Sequence, residues 1–132
     1  MSKPFNIKDY KHFLEEITEV IRIKQLDAFR KVNKILIDIY WHIGQKIVEN
    51  QEEFNWGKSV VKNLSTDLQK LFPGIRGFSE RNLWNMRNLY LAYFQNHEIV
   101  TLLGEIGWTH HIIILEKVKD LLARKYYMHA VR

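Results

Sequence analysis

The chain has 132 residues, of which 46% are hydrophobic and 27% are charged, and its formal net charge is +5. This length suits one compact domain, so we expect a single domain over residues 1–132. The absence of cysteine excludes a disulfide framework, a thiol nucleophile and a Cys-ligated zinc site. No apolar run approaches a membrane span and no secretory signal is present, so we expect a cytoplasmic protein without a membrane partner.

The scarcity of chain breakers, with 6 Gly and 2 Pro, favours long helices over many short strands. We therefore predict an all-α fold of about six helices. Apolar residues at steps of three and four predict two N-terminal helices, which form a helical hairpin or a nearly continuous arm, over about 7–23 and 25–52. The other helices are predicted over about 57–71, 80–95, 110–119 and 120–132, with a loop over 95–107.

Capping residues predict where three of these helices begin. Asn55, Ser79 and Thr109 are suited to N-cap the third, fourth and fifth helices. In the third helix, Ser65 and Gln69 are predicted on the polar face, opposite the apolar residues.

A Pro/Gly-containing break at 72–77 separates the third and fourth helices, which is typical of a helix-turn-helix with the second helix as reader. The connection is longer than the usual turn of three to four residues, so the bundle is helix-turn-helix-like or divergent and winged-helix-like.

The net charge is concentrated on these two helices. Residues 1–57 are neutral overall, residues 96–132 carry +1 and residues 58–95 carry +4. A concentrated basic segment favours a polyanion partner, and Arg and Asn side chains can reach base edges and phosphates. The predicted DNA-binding residues are Lys58, Lys62, Arg76, Arg81, Trp84, Asn85, Arg87 and Asn88. The alternatives are an ordinary solvated face and, for Arg87, a buried ion pair with Asp67.

Motifs that would carry catalysis are missing. The sequence contains no His-Glu-x-x-His pattern, no phosphate loop and no Gly-x-Ser-x-Gly elbow. The acidic-x-Lys match at Asp9-Tyr10-Lys11 lacks supporting carboxylates on a strand. The adjacent His110 and His111 are expected to be structural rather than metal ligands. We therefore expect no catalytic residue, metal site or cofactor in this segment.

Several motifs together resemble the N-terminal domain of the YhcG family. They are Val32-Asn33, Leu36, Tyr40-Trp41-x-Ile43-Gly44, Trp56-Gly57, Leu64-x-x-Asp67-Leu68-x-x-x-Phe72-Pro73, Gly77-Phe78-Ser79-x-Arg81-Asn82-Leu83-x-x-Met86-Arg87-x-x-Tyr90, Trp108-Thr109-His110-His111, Leu115, Lys117, Lys119-Asp120, Arg124 and Tyr126-Tyr127. The resemblance implies a larger bacterial or archaeal protein with a C-terminal PD-(D/E)xK nuclease domain beyond residue 132. A divalent metal is expected only in that domain.

These observations favour a DNA-binding or targeting module of a nuclease, with no catalysis in the segment itself. Its expected partners are DNA, its own C-terminal nuclease domain and a second copy in a homodimer. The alternative is an oligomerisation or partner-docking domain without direct DNA contact, which the long helix over 25–52 and the apolar C-terminal helices would form.

Overall fold

The structure is a computed structural model that describes residues 6–54 and 57–132. Its helices are α1 (Ile7–Phe54), α2 (Lys58–Leu71), α3 (Glu80–Tyr93), α4 (His97–Val100), α5 (Trp108–Lys117) and α6 (Leu121–Val131), with a 3₁₀ helix at Leu103–Glu105 between α4 and α5. This confirms the all-α prediction. The described residues contain no β-strand, so they form no β-wing of a winged helix.

The two predicted N-terminal helices are one helix, α1, which is 48 residues long. The hairpin alternative is therefore wrong. The physical reason lies in the junction: Ile23, Lys24 and Gln25 include no Gly or Pro, and Lys and Gln are good helix formers, so no residue there ends the helix.

The chain divides into two compact units, Met1–Val32 and Asn33–Arg132. In the first unit, the described residues 7–32 all belong to α1, and none of the residues 6–32 is buried. In the second unit, two clusters of buried residues form the core. One cluster comprises Ile37, Leu89, Tyr93, Ile99, Leu103, Ile106, Ile114 and Met128. The other comprises Tyr40, Ile47, Val61, Phe78, Leu83 and Met86.

Helix α3 contributes to both clusters, and α1 packs closely against it. Gly44 of α1 is buried, and a Cβ atom at this position would overlap the carbonyl oxygen of Met86 in α3. Glycine is therefore required at this crossing, because any side chain would push the two backbones apart. This close packing fixes the buried side of α3 and leaves its opposite side at the surface.

The capping predictions have different outcomes. Ser79 caps α3 as predicted, since its hydroxyl oxygen accepts a hydrogen bond from the Asn82 backbone N–H at 3.2 Å. Asn55 lies outside the described residues; the N-cap of α2 is Gly57, which provides no side-chain hydrogen bond. The prediction for Thr109 is wrong, because α5 already begins at Trp108.

The predicted loop over 95–107 holds two short helical turns, α4 and the 3₁₀ helix. Asn96 caps α4 by accepting a hydrogen bond from the Ile99 backbone N–H at 3.1 Å. Ile99 and Leu103 are buried, so the apolar residues of this segment, rather than its helix propensity, keep these short turns in place. Across the described residues, no helix combines the length and hydropathy needed to cross a bilayer.

Candidate nucleic-acid interface

Helix α3 carries most of the predicted DNA-binding residues. Its buried side consists of Leu83, Met86, Leu89 and Tyr93. At 100° per residue, the opposite side is centred on Trp84 and Asn88, with Arg81 beside them. Arg81 and Asn88 on this side are exposed, whereas Trp84 is half-buried and packs against the second core cluster.

The guanidinium group of Arg81 is the most accessible cation of α3. Its side chain is 86% exposed, and its nearest carboxylate is that of Glu116 in α5, at 3.9 Å. An ion pair of this length and exposure contributes little, because water and salt screen it. Arg81 is therefore available to an anionic partner at a small cost in lost contacts.

Arg87 has different partners from the expected ones. Its Nε donates a hydrogen bond to Gln51 Oε1 at 2.7 Å, and its Nη1 donates to Asn88 Oδ1 at 3.3 Å. The guanidinium also lies over the Trp84 ring, 5.4 Å from the ring centroid. The predicted pair with Asp67 is not formed, because Arg87 faces the C-terminal part of α1 while Asp67 is exposed on α2. Its positive charge is thus held in place by neutral groups.

Asn85 and Asn88 line a groove of about 480 Å³ between α3 and the α5–α6 region. The opposite wall of the groove includes Glu116, Lys119 and Arg124. The groove therefore combines amide groups, which both donate and accept hydrogen bonds, with cationic groups and one carboxylate. The lining is completed by Leu91, Ala92, Ile112 and Leu115, so the groove has both polar and apolar walls.

The remaining predicted residues lie beside α3 rather than on it. Lys58 and Lys62 are exposed one turn apart on α2, and Arg76 is exposed in the segment that connects α2 to α3. In the described part of the chain, no hydrogen bond or ring contact links these three cations to the polar residues of α3. Arg81, Trp84, Asn85, Arg87 and Asn88 thus share helix α3, whereas the other three predicted residues lie on α2 and on the connecting segment.

The predicted polar face of α2 needs a correction. Ser65 is buried, and its hydroxyl donates a hydrogen bond to the Phe78 carbonyl oxygen at 2.6 Å. Gln69 donates to Ser65 Oγ at 2.9 Å. Both side chains therefore face the segment before α3. There the backbone carbonyl group of Phe78 needs hydrogen-bond donors, because the chain turns and no helical partner is available.

Asn82 forms a polar junction that was not predicted from the sequence. Its Nδ2 donates to the Gly77 carbonyl oxygen at 2.7 Å, and its Oδ1 accepts from Trp108 Nε1 at 2.7 Å. The Trp108 ring meets Tyr40 edge-on, with 4.8 Å between the centroids. Burial raises the pKa of Tyr40, and a hydrogen bond with Asn82 opposes that rise.

Two signals in the sequence point to this junction. On the helical wheel, Asn82 lies between the directions of Met86 and Leu89, on the apolar side of α3 where a polar residue needs a specific partner. Gly77 has a φ of 103°, and a Cβ there would overlap the Tyr40 hydroxyl. Glycine is therefore required at position 77 for two reasons: its backbone has a positive φ, and the Tyr40 hydroxyl occupies the space that a Cβ would need.

His111 is fully buried, as expected for a structural histidine. Its Nε2 lies 2.8 Å from the Leu103 carbonyl oxygen, and burial lowers its pKa. Its Nδ1 has no hydrogen-bond partner among the described residues. Within residues 6–54 and 57–132, no three His, Asp or Glu side chains come together as a cation site.

Several of the motif residues that suggested a family form these internal junctions, among them Gly44, Gly77, Asn82 and Trp108. Residues 16–132 match the family model of the DUF1016 N-terminal domain. The chain belongs to the DUF1016 N-terminal domain family. It is also similar to the protein named "Putative nuclease YhcG" of Escherichia coli (strain K12), with 33% identity over 102 residues.

That match covers 74% of this chain and 26% of the Escherichia coli protein, so the DUF1016 N-terminal domain described above spans about a quarter of that relative's length. The expected resemblance to the YhcG family is confirmed. No solved structure matches the chain significantly.

Proposed function

We propose that this chain is a DNA-binding or targeting module of a nuclease, and that α3 is its contact helix. The single observation that carries the proposal is the outward side of α3, where Arg81, Trp84 and Asn88 lie together with no strong ion pair. The name of the Escherichia coli relative supports the class of partner, because the substrate of a nuclease is a nucleic acid.

Different residues would have different roles on DNA. Phosphates would be contacted by Lys58, Lys62 and Arg76, which are exposed beside α3, and by Arg81 and Arg87 of α3 itself. Such contacts provide affinity without sequence information. Trp84, Asn85 and Asn88 would approach bases or sugars, because an amide can pair with an adenine edge. In this proposal α2 and α3 act in the manner of a helix-turn-helix, with a longer connection.

The salt dependence of binding tests the proposal. Five phosphate contacts would give a slope of about −4.5 in a plot of log K against log salt concentration. Fluorescence anisotropy with duplex, branched and single-stranded DNA at several salt concentrations measures this slope. Salt-independent binding, or no binding at low salt, would rule the proposal out.

Matched variants locate the contact surface. Arg81→Gln removes an exposed cation from α3 and should reduce the magnitude of the slope by about 0.9. Lys11→Gln removes an exposed cation from the first unit and serves as the control, with no change in slope expected. Equal effects of the two variants would mean that the positive charge acts as a whole and α3 is not the contact helix.

We also propose that the nuclease activity resides in a part of the full-length protein other than residues 1–132. The resemblance to the YhcG family implies a C-terminal PD-(D/E)xK domain, whose divalent metal would be bound there. Support comes from the short coverage of the relative, 26% of its length, and from the family resemblance. Cleavage of labelled DNA with Mg²⁺, compared between the full-length protein and the 132-residue chain, tests this; cleavage by the chain alone would contradict it.

The second candidate function is oligomerisation or partner docking without DNA contact. The exposed apolar side chains of α1 in the first unit favour it, since Phe13, Ile17 and Phe29 are 57%, 44% and 69% exposed. A chain that self-associates but shows no affinity for any DNA at low salt would select this function over DNA binding.

A further inference from the structure

The groove between α3 and the α5–α6 region combines apolar and polar walls in one concave site. Its apolar residues Ala92, Ile112 and Leu115 are half-buried, whereas Glu116 and Lys119 are exposed. The groove volume of about 480 Å³ lies within the range of sites that enclose a small organic group, about 300–1,000 Å³. The groove can therefore hold a flat group that has apolar faces and polar edges.

The amide groups of Asn85 and Asn88 offer hydrogen-bonding atoms that the protein itself does not use. The two residues are one helical turn apart on α3, so their side chains lie side by side. Among the described residues, the half-buried amide of Asn85 has no hydrogen-bond partner, and Asn88 uses only its Oδ1, which accepts from Arg87. An amide both donates and accepts, which is also the pattern on the Watson–Crick edge of a base.

The charge around the groove favours an anionic ligand. Lys119 and Arg124 line the groove, and in the described part of the chain both donate to backbone carbonyl groups rather than to a carboxylate. Arg124 is half-buried, and its Nε donates to the Val118 carbonyl oxygen at 2.6 Å, so its cation is held in place. The lining carboxylate, Glu116, lies 3.9 Å from the cation of Arg81. The charge at the groove is therefore positive on balance and complements a phosphate group.

A base that remains paired within a duplex is a poor match for this groove. Reading a paired base requires side chains that protrude into the major groove, whereas Asn85 is half-buried between α3 and α5. An unpaired base can leave the stack and enter a pocket at a small energetic cost. Its Watson–Crick edge is then free to pair with an amide, and its faces can contact Leu91 and Leu115.

We propose that the groove between α3 and the α5–α6 region binds an unpaired base of DNA. Asn85 and Asn88 bond its polar edge, Leu91 and Leu115 contact its faces, and Lys119 contacts its phosphate. This inference rests on the proposed function, because it takes DNA as the partner and adds the DNA structure that the chain prefers. That structure is a duplex in which one base has no partner.

Binding to three labelled duplexes of the same length tests the preference. One duplex is fully paired, one has a single unpaired adenine, and one has an abasic nucleotide at the position of that adenine. Fluorescence anisotropy at low salt should show that the duplex with the unpaired adenine binds about tenfold more tightly than either of the others. The abasic duplex separates recognition of the base from recognition of DNA that bends easily.

Two variants locate the base in the groove. Asn85→Leu and Asn88→Leu keep a side chain of similar size and remove the amide, so each should reduce the preference for adenine over the abasic site by about fivefold. Gln25→Leu removes an exposed amide from the first unit and is the matched control, with an unchanged preference expected. Because Asn88 is exposed, its variant keeps the test available if circular dichroism shows that Asn85→Leu does not fold.

A fluorescent adenine analogue at the unpaired position gives a second readout. Its emission rises when the base leaves the stack, and no aromatic side chain is among the described residues that line the groove and could quench it. We expect a rise on binding of the natural chain and a smaller rise with Asn85→Leu or Asn88→Leu. The same rise with all three proteins would contradict binding of the base in this groove.

The outcomes separate this inference from the proposed function. Equal binding of all three duplexes would overturn the inference and leave DNA binding by the chain in place. Equal binding of the adenine and abasic duplexes, both tighter than that of the paired one, would also overturn it, because the shape of the DNA would then be recognised. Failure to bind any duplex at low salt would overturn the proposed function and the inference with it.

Discussion

The polar junction around Asn82 can be tested by a single substitution. Asn82→Ala removes the hydrogen bonds to the Gly77 carbonyl oxygen and from Trp108 Nε1, each 2.7 Å long. Leaving a buried donor or acceptor unpaired costs about 1–3 kcal/mol per group. The junction is half-buried, so the lower part of that range applies, giving about 2–3 kcal/mol for the two groups.

Helix propensity opposes this loss slightly, because Ala is a better helix former than Asn by about 0.5 kcal/mol. The net expectation for Asn82→Ala is therefore a decrease of about 2 kcal/mol in the free energy of unfolding. Urea unfolding followed by far-UV circular dichroism measures this decrease, with the same slope m for both proteins if the transition stays two-state.

Asn88→Ala is the matched control on the same helix. Asn88 is exposed, and among the described residues its amide oxygen accepts one hydrogen bond, from Arg87 at 3.3 Å. Its substitution should change stability by less than about 0.5 kcal/mol, as for most surface positions. If the two variants unfold at the same urea concentration, the argument that Asn82 joins these elements is refuted.

Two further predictions concern the core of the second unit. Gly44→Ala places a Cβ into the Met86 carbonyl oxygen and should destabilise the protein by about 3 kcal/mol, whereas Gly74→Ala, with no atom within 4 Å of the added Cβ, should be nearly neutral in the same urea assay. Because burial lowers the pKa of His111, the unfolded chain takes up a proton below the usual value of 6.5 while the folded chain does not, so stability should fall as the pH decreases from 6.5. Replacing His111 with Gln should flatten this dependence, and an unchanged pH profile would contradict the burial of a neutral imidazole.

Local features of the fold could be predicted from the sequence because they depend on neighbouring residues. Helical periodicity located α2, α3, α5 and α6, but it divided the single helix α1 into two. The Ser79 cap was predicted because its partner, the Asn82 backbone N–H, is three residues away. The exposed side of α3 follows from the same periodicity. Thr109 was assigned as a cap in error, since Gly107 and Trp108 have already begun α5 and local preference allows either start.

The contacts within the candidate site could not be predicted in this way. Arg87 is bound by Gln51, which is 36 residues earlier in the chain, and not by Asp67. Ser65 turns towards Phe78, 13 residues later, although the helical wheel of α2 places it beside lysines. In each case the partner belongs to another element, and its position depends on how the helices pack.

The concentration of charge was evident from the sequence alone: +4 over residues 58–95, on two helices and their connection. Tertiary structure decided which residues of the charged segment remain accessible. Arg81 is exposed, and Arg87 contacts Gln51 and Trp84. Asn82 is half-buried and bonded to Gly77 and Trp108. The reason is physical: periodicity sets the direction of a side chain from its own helix, but only packing between helices determines whether that direction leads to solvent or to another residue.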